Sequence, residues 1–157
     1  MMFSPQRRLV LGLIGASPIL LLTQNVFGAT ILPTITVSKD PNCGCCNGWV
    51  EHLRREGFAV TVKDSTDLTA IKQRLGVPDS LAACHTAEVS GYVIEGHVPA
   101  DAIKRLLREA PQALGLAVPG MPSGSPGMDG TPQSYEVVLF GKDSSSVFAR
   151  YRGTTAL

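Results

Sequence analysis

Four cysteines carry the chemistry of this chain, in two places: Cys43, Cys45 and Cys46 together, and Cys84 alone. The stretch Cys43-Gly44-Cys45-Cys46 holds a Cys-x-x-Cys pair, Cys43 and Cys46, with a third thiol inside it. Thiolate is the form that attacks disulfides and binds soft metals, and a helix N-terminus lowers thiol pKa values toward neutrality. The bland alternative is a pair of structural disulfides, for which four cysteines allow three pairings. Each pairing leaves part of the triplet badly placed. A bridge between adjacent Cys45 and Cys46 is strained, and Cys43 to Cys45 closes a very tight ring. If Cys84 instead reaches the triplet, four thiols converge, and that is a metal-site signal.

The neighbouring side chains choose the metal. Met121 and Met128 bound the segment Met121-Pro122-Ser123-Gly124-Ser125-Pro126-Gly127-Met128, where no apolar stripe offers them a core to fill. Thiolate with thioether favours Cu(I), whereas zinc sites draw on Cys, His and carboxylate. His97, between Glu95-Gly96 and Pro99, and His85, beside Cys84, are placed to complete a metal shell or to hydrogen-bond the backbone. His52, mid-helix beside Glu51, reads as solvated. The candidate ligands are therefore Cys43, Cys45, Cys46, Cys84, His85, His97, Met121 and Met128. Cys43 and Cys46 would be the reacting pair if the site is redox-active.

These residues need a scaffold, and 157 residues allow one domain with a proper core. Ile35 to Lys39 reads as a strand. Cys46, Trp49, Val50 and Leu53 then fall at i, i+3, i+4 and i+7 of a helix that Gly57 ends. Phe58 to Val62 is the next strand. Asp67 caps a helix with the stripe Leu68, Ile71 and Leu75, closed by Gly76. Thr86 to Val89 and Tyr92 to Ile94 form a hairpin about Ser90-Gly91. Pro99 opens a helix bearing Ile103, Leu106, Leu107 and Ala110 that stops at Pro111. From Pro111 to Ser134 the pattern dissolves into a long loop, and Tyr135 to Phe140 with Ser146 to Ala149 make a closing strand pair.

The order β-α-β-α-β-β-α, with cysteines between first strand and first helix, is the thioredoxin pattern. It predicts an α/β fold: a single thioredoxin-like domain over residues 35–151, with a mixed central sheet, flanking helices, a Met-containing loop and a C-terminal strand pair. In that fold the loop entering the third strand faces the Cys-x-x-Cys motif, which would bring Cys84 to it.

The first residues tell a separate story. Arg7 and Arg8, an apolar run from Leu9 to Leu22, and small residues at Gly28 and Ala29 describe a cleaved signal peptide over 1–28. The apolar run is short for a membrane span and is broken by Gly12, Gly15 and Pro18. The paired arginines fit the Sec route better than the twin-arginine route, whose flanks they match imperfectly. No second apolar run of that length follows, so no stable membrane span is expected after cleavage. A formal charge of +1 argues against nucleic acid as a partner.

The stretches Lys39 to Val50, Ala83-Cys84-His85-Thr86, Tyr92 to Pro99 and Gly115 to Met128 resemble the CopG-type periplasmic copper proteins, long catalogued as a domain of unknown function. The resemblance covers residues 35–151 and shows no departure at Cys43, Cys45, Cys46, Cys84, His97, Met121 or Met128. It implies a thioredoxin-like fold, a copper site at the Cys-x-Cys-Cys motif and a periplasmic role in copper and heavy-metal resistance, beside other periplasmic copper-handling proteins. It also implies redox activity on copper. Thiolates converging on one spot can bridge ions and hold a multinuclear cluster. Two other functions stay open on the residues themselves: thiol–disulfide exchange by Cys43 and Cys46, and sequestration of zinc.

Overall fold

The computed structural model describes residues 31–157. The expected signal peptide, 1–28, lies outside the described residues. Among those described, no helix is long and apolar enough to cross a membrane.

Alternation of β-branched residues builds the first strand, β1 (Ile35–Lys39), whose Ile35 and Val37 are wholly buried. The Asp40-Pro41-Asn42 turn follows, with the Asp40 carboxylate accepting the Asn42 N–H at 2.7 Å. That turn delivers the chain into α1 (Gly44–Arg55), which buries the stripe Cys46, Trp49, Val50 and Leu53. The Trp49 indole N–H donates to the Val98 carbonyl at 2.8 Å, so this large ring is satisfied as well as buried.

After β2 (Val60–Asp64), the Asp67 carboxylate accepts the Ala70 N–H and caps α2 (Leu68–Arg74). The expected stripe on α2 is only half-buried, since this short helix sends no residue fully into the core. Its inward side chain is Lys72, described below. A short 3-10 turn (Asp79–Leu81) leads to the hairpin β3 (His85–Val89) and β4 (Tyr92–Glu95), with the Ser90-Gly91 turn where the sequence places it. The next helix, α3 (Ala100–Glu109), buries Ile103 and Leu106.

One eight-stranded sheet runs in the order β2-β1-β3-β4-β5-β6-β7-β8. β1 pairs parallel with β2 and antiparallel with β3, and β4 pairs parallel with the next strand, so the sheet is mixed. That next strand, β5 (Gly115–Ala117), lies inside the segment expected to be a structureless loop. Three residues carry too little periodicity to be read. They form a strand because the exposed edge of β4 on one side and β6 (Ser134–Phe140) on the other satisfy their backbone. β6 pairs with β7 (Ser145–Arg152) through a bulge at Val137/Val138, and a last strand, β8 (Thr155–Ala156), escapes the sequence reading too.

Neighbouring residues on the central strands face opposite sides, and both sides are covered. Ile94 and Leu116 join the main core with Trp49, Leu53, Ile103 and Leu106 from α1 and α3. Val93 and Ala117 join a smaller core with Val77 and Phe140. The sheet centre is thus packed on both faces. The loops at the C-terminal end of β1 and the entry to β3 meet at one end of that sheet.

Candidate metal centre

Cys43 is the N-cap of α1 with extended backbone, and its carbonyl accepts the Asn47 N–H. Cys45 and Cys46 follow in the first turn. Helical geometry turns Cys46 into the core and leaves Cys43 and Cys45 half-buried at the tip. Cys84 approaches from the other side, in the residue before β3. Its sulfur lies 4.0 Å from that of Cys45, which is itself 3.5 Å from Cys43 Sγ. Cys46 Sγ lies 3.8 Å from the Cys84 carbonyl oxygen. All four sulfurs fall within 4.8 Å of one another. Residues some forty positions apart therefore meet, as the sequence leads one to expect.

The sulfurs are not equivalent. Cys43 and Cys46 are joined in a disulfide, while Cys45 and Cys84 are free thiols. Of the pairings weighed from sequence, only this Cys-x-x-Cys bridge forms, and it leaves no second disulfide among the described residues. A four-thiolate site thus requires reduction of that bond first.

Cys84 also belongs to a second group. Its sulfur is 3.2 Å from His85 Nδ1 and 3.2 Å from His97 Nε2, both rings being wholly buried. His97 Nδ1 donates to the Pro126 carbonyl at 2.7 Å, which fixes the tautomer and turns the Nε2 lone pair toward Cys84. His85 packs on Trp49, with ring centroids 4.3 Å apart, and edge-on to His97 at 5.0 Å. Its Nε2 is buried with no hydrogen-bond partner among the described residues. A buried polar atom without a partner costs roughly 1–3 kcal/mol.

Electrostatics sets the protonation of these groups. Burial, reinforced by the nearby Cys45, pushes the Cys84 thiol up to about 12, so it carries its proton at neutral pH. Burial likewise drives both imidazoles below the ordinary histidine range, more strongly at His85, where His97 and Lys72 add to it. Two neutral imidazoles, one with a lone pair aimed at sulfur, suit metal ligation. The donor set is soft, and a cation there would displace the Cys84 proton.

The methionine segment is docked on the same place. Gly127 has φ +85°, and a side chain there would press to 2.7 Å on the Cys45 carbonyl oxygen and collide with the start of α1 around Trp49. Only glycine lets the segment lie so close. Pro126 and Gly127 thus bridge His97 and the helix tip, and Met128 follows directly, half-buried. Met121, at the far end, stands 57% exposed.

His52 is not simply solvated. It is half-buried, and its Nε2 accepts the Ala100 N–H at 3.1 Å, capping α3 where Pro99 has no side-chain cap to offer. Three further residues escaped the sequence reading: Glu95, Lys72 and Thr86. Glu95 is wholly buried and takes hydrogen bonds from the Lys72 ammonium, the Thr86 hydroxyl and the Ala83 N–H. A carboxylate ending the apolar run Tyr92-Val93-Ile94, and a lysine beside the α2 stripe, are the signals that point to them.

The family described as "Protein of unknown function, DUF411" matches residues 81–128, the span from the Cys84 loop to Met128. Two solved structures, "Copper resistance protein copG- Form 1" and its Form 2, are each 46% identical to this chain with a TM-score of 0.73. The first covers 78% of this chain and 99% of its own, the second 76% and 98%. No curated protein matches the chain.

Proposed function

The chain belongs to the family of the copper resistance protein CopG, and from that premise we propose that it is an exported, periplasmic Cu(I)-binding protein of copper resistance. The observation that carries this reading is the convergence of three other sulfurs and two imidazoles on Cys84. Cysteine and histidine alone would also suit zinc; it is the thioethers of Met121 and Met128 beside the thiolates that tip the donor set toward Cu(I).

In this reading Cys43, Cys45, Cys46 and Cys84 hold copper as thiolates, with His97 and His85 completing the shell. Met128, next to the docked Gly127, adds a thioether, and the exposed Met121 at the other end of the segment is a further thioether ligand. Because Cys84 is shared between the sulfur group and the histidine group, it is suited to bridge two ions, which favours a multinuclear site. The scaffold is thioredoxin-like in this view, and the sub-order β2-β1-β3-β4 with a helix after β4 supports it.

Redox chemistry fits the same residues. Oxidation of the Cys43 and Cys46 thiols to their disulfide yields two electrons and two protons, and two Cu(II) ions accept those electrons to become Cu(I). A second reading, thiol–disulfide exchange on protein substrates with Cys43 as nucleophile, is favoured by the disulfide itself. The unpartnered His85 and the docked methionine segment have no part in such exchange.

The test is a Cu(I) titration of the reduced protein against a competing chelator, beside the Cys43→Ser/Cys46→Ser variant. Copper binding no tighter than the variant's ends the copper reading. Insulin reduction that proceeds at full rate without Cys45 and Cys84 establishes the second.

A further inference from the structure

We propose that Glu95 is a positioning residue of this centre: its buried carboxylate, locked by Lys72 and Thr86, holds the Ala83–Cys84 stretch so that the Cys84 thiol meets both the helix-tip cysteines and His97. Three consecutive residues grip three others. Glu95 Oε1 accepts the Ala83 N–H at 2.6 Å, the Gly96 N–H donates to the His85 carbonyl at 3.1 Å, and His97 Nε2 lies 3.2 Å from Cys84 Sγ. The two stretches can lie this close because residue 96 has no side chain. A Cβ there would stand 2.7 Å from the Ala83 Cβ and from the Val118 carbonyl oxygen.

The carboxylate is the group this place demands. Three donors face it: the Lys72 ammonium, the Ala83 N–H and the Thr86 hydroxyl, the last at 2.7 Å. A carboxylate accepts from all three, and its charge answers the Lys72 ammonium; a glutamine could keep the Lys72 and Ala83 contacts through its oxygen but would lose that charge. The Lys72 ammonium also donates to Thr86 at 2.8 Å, tying α2 to β3 and closing the ring of contacts beneath Cys84. Cys84 itself precedes β3 and has no ladder to hold it. Its place is set by what grips the residues on either side.

The consequence for copper rests on the copper-binding reading above, and the first test is made without metal. In a Cys45→Ser background with the Cys43–Cys46 disulfide intact, Cys84 is the lone free thiol, and its alkylation by iodoacetamide, followed against pH to separate thiolate fraction from access, measures its accessibility. Glu95→Ala is expected to speed its alkylation about tenfold, the loss of one charge-assisted hydrogen bond. An unchanged rate overturns the proposal. Should Glu95→Ala fail to fold, two double variants decide. Lys72→Met/Glu95→Gln keeps an acceptor for the Ala83 N–H and should stay slow; Lys72→Met/Glu95→Leu keeps none and should be fast. Equal rates in the two overturn the proposal.

The second test is a double-mutant cycle in Cu(I) affinity. Glu95→Ala is expected to weaken binding about tenfold when Cys84 is present and to cost nothing further in a Cys84→Ser background. Additive losses mean Glu95 merely supports the fold. Faster alkylation in a protein that binds no copper leaves the positioning role standing and sinks the copper reading alone.

Discussion

Two buried polar clusters meet at the stretch Ala83 to Thr86, and they are finished to different degrees. In the first, Glu95, Lys72 and Thr86 satisfy one another: both carboxylate oxygens have donors, and the ammonium has two acceptors. In the second, Cys84 stands between two imidazoles, and His85 Nε2 has nothing to bond among the described residues. Glu95 and both imidazoles are wholly buried, while the Cys84 thiol between the rings is half-buried. Buried polar groups are normally paired, and exceptions need a reason. The finished cluster fixes a position; the unfinished one keeps its donor capacity for a ligand that arrives later.

The largest effect that can break this contrast lies in the finished cluster. Lys72→Met leaves the Glu95 carboxylate buried without its counter-ion and is expected to cost about 3–5 kcal/mol in urea unfolding. Lys72→Met/Glu95→Leu, which removes both charges, should regain most of that loss. A single variant as stable as the parent means that Glu95 is not held ionised, and the cluster is then no lock.

Next in size is Cys84→Ser, which tests the unfinished cluster. Stability should move by less than about 1 kcal/mol, because the thiol is only half-buried and its partners remain. Cu(I) affinity in chelator competition should fall on the order of a hundredfold or more, beyond the 10–100-fold typical of supporting groups. Since Cys84 holds its proton up to about 12, copper must displace it. Binding by the parent should therefore strengthen with rising pH, by about tenfold per unit for that one proton. The serine variant should lose that share of the slope. Equal affinity in the two proteins would falsify the role given to Cys84.

Legibility in the sequence follows the same division. The sulfur set was readable because cysteine is scarce and chemically singular, and because β-α-β order puts the Cys84 loop opposite the α1 tip. The α1 stripe, the Asp67 cap and the Ser90-Gly91 hairpin were readable from local periodicity and turn chemistry. What stayed hidden depends on partners distant in sequence. β5 is three residues long and exists only by pairing with β4 and β6. Glu95 and Lys72 look like ordinary surface charges until the fold buries the carboxylate and half-buries the ammonium. The role of His52 at the start of α3 depends on a residue 48 positions away. The disulfide needed the geometry of the helix tip, since the thiol count alone allowed several pairings.

The smallest effect concerns protons, and it asks whether the histidines are kept as dry as the contrast requires. His52, His85 and His97 all sit below the ordinary value of 6.5, each chiefly through burial. The unfolded chain then binds more protons than the folded one once the pH drops past 6.5, so acid draws the equilibrium toward unfolding. The stability given by these neutral rings is complete above that value and is lost as pH falls through the folded-state values, by at most about 1.4 kcal/mol per unit for each ring. Glu95 works in the opposite sense, because burial raises its carboxyl. The Lys72→Met/Glu95→Leu background removes that contribution and isolates the histidines. In it, the urea midpoint should hold steady near neutrality and slide below about pH 6.5. His85→Phe, which fills the same space against Trp49 without a nitrogen to leave unpaired, should flatten the slide and raise the midpoint slightly. A midpoint level down to about pH 5 means the rings accept protons freely inside the fold, and the second cluster is then wet instead of waiting for a metal.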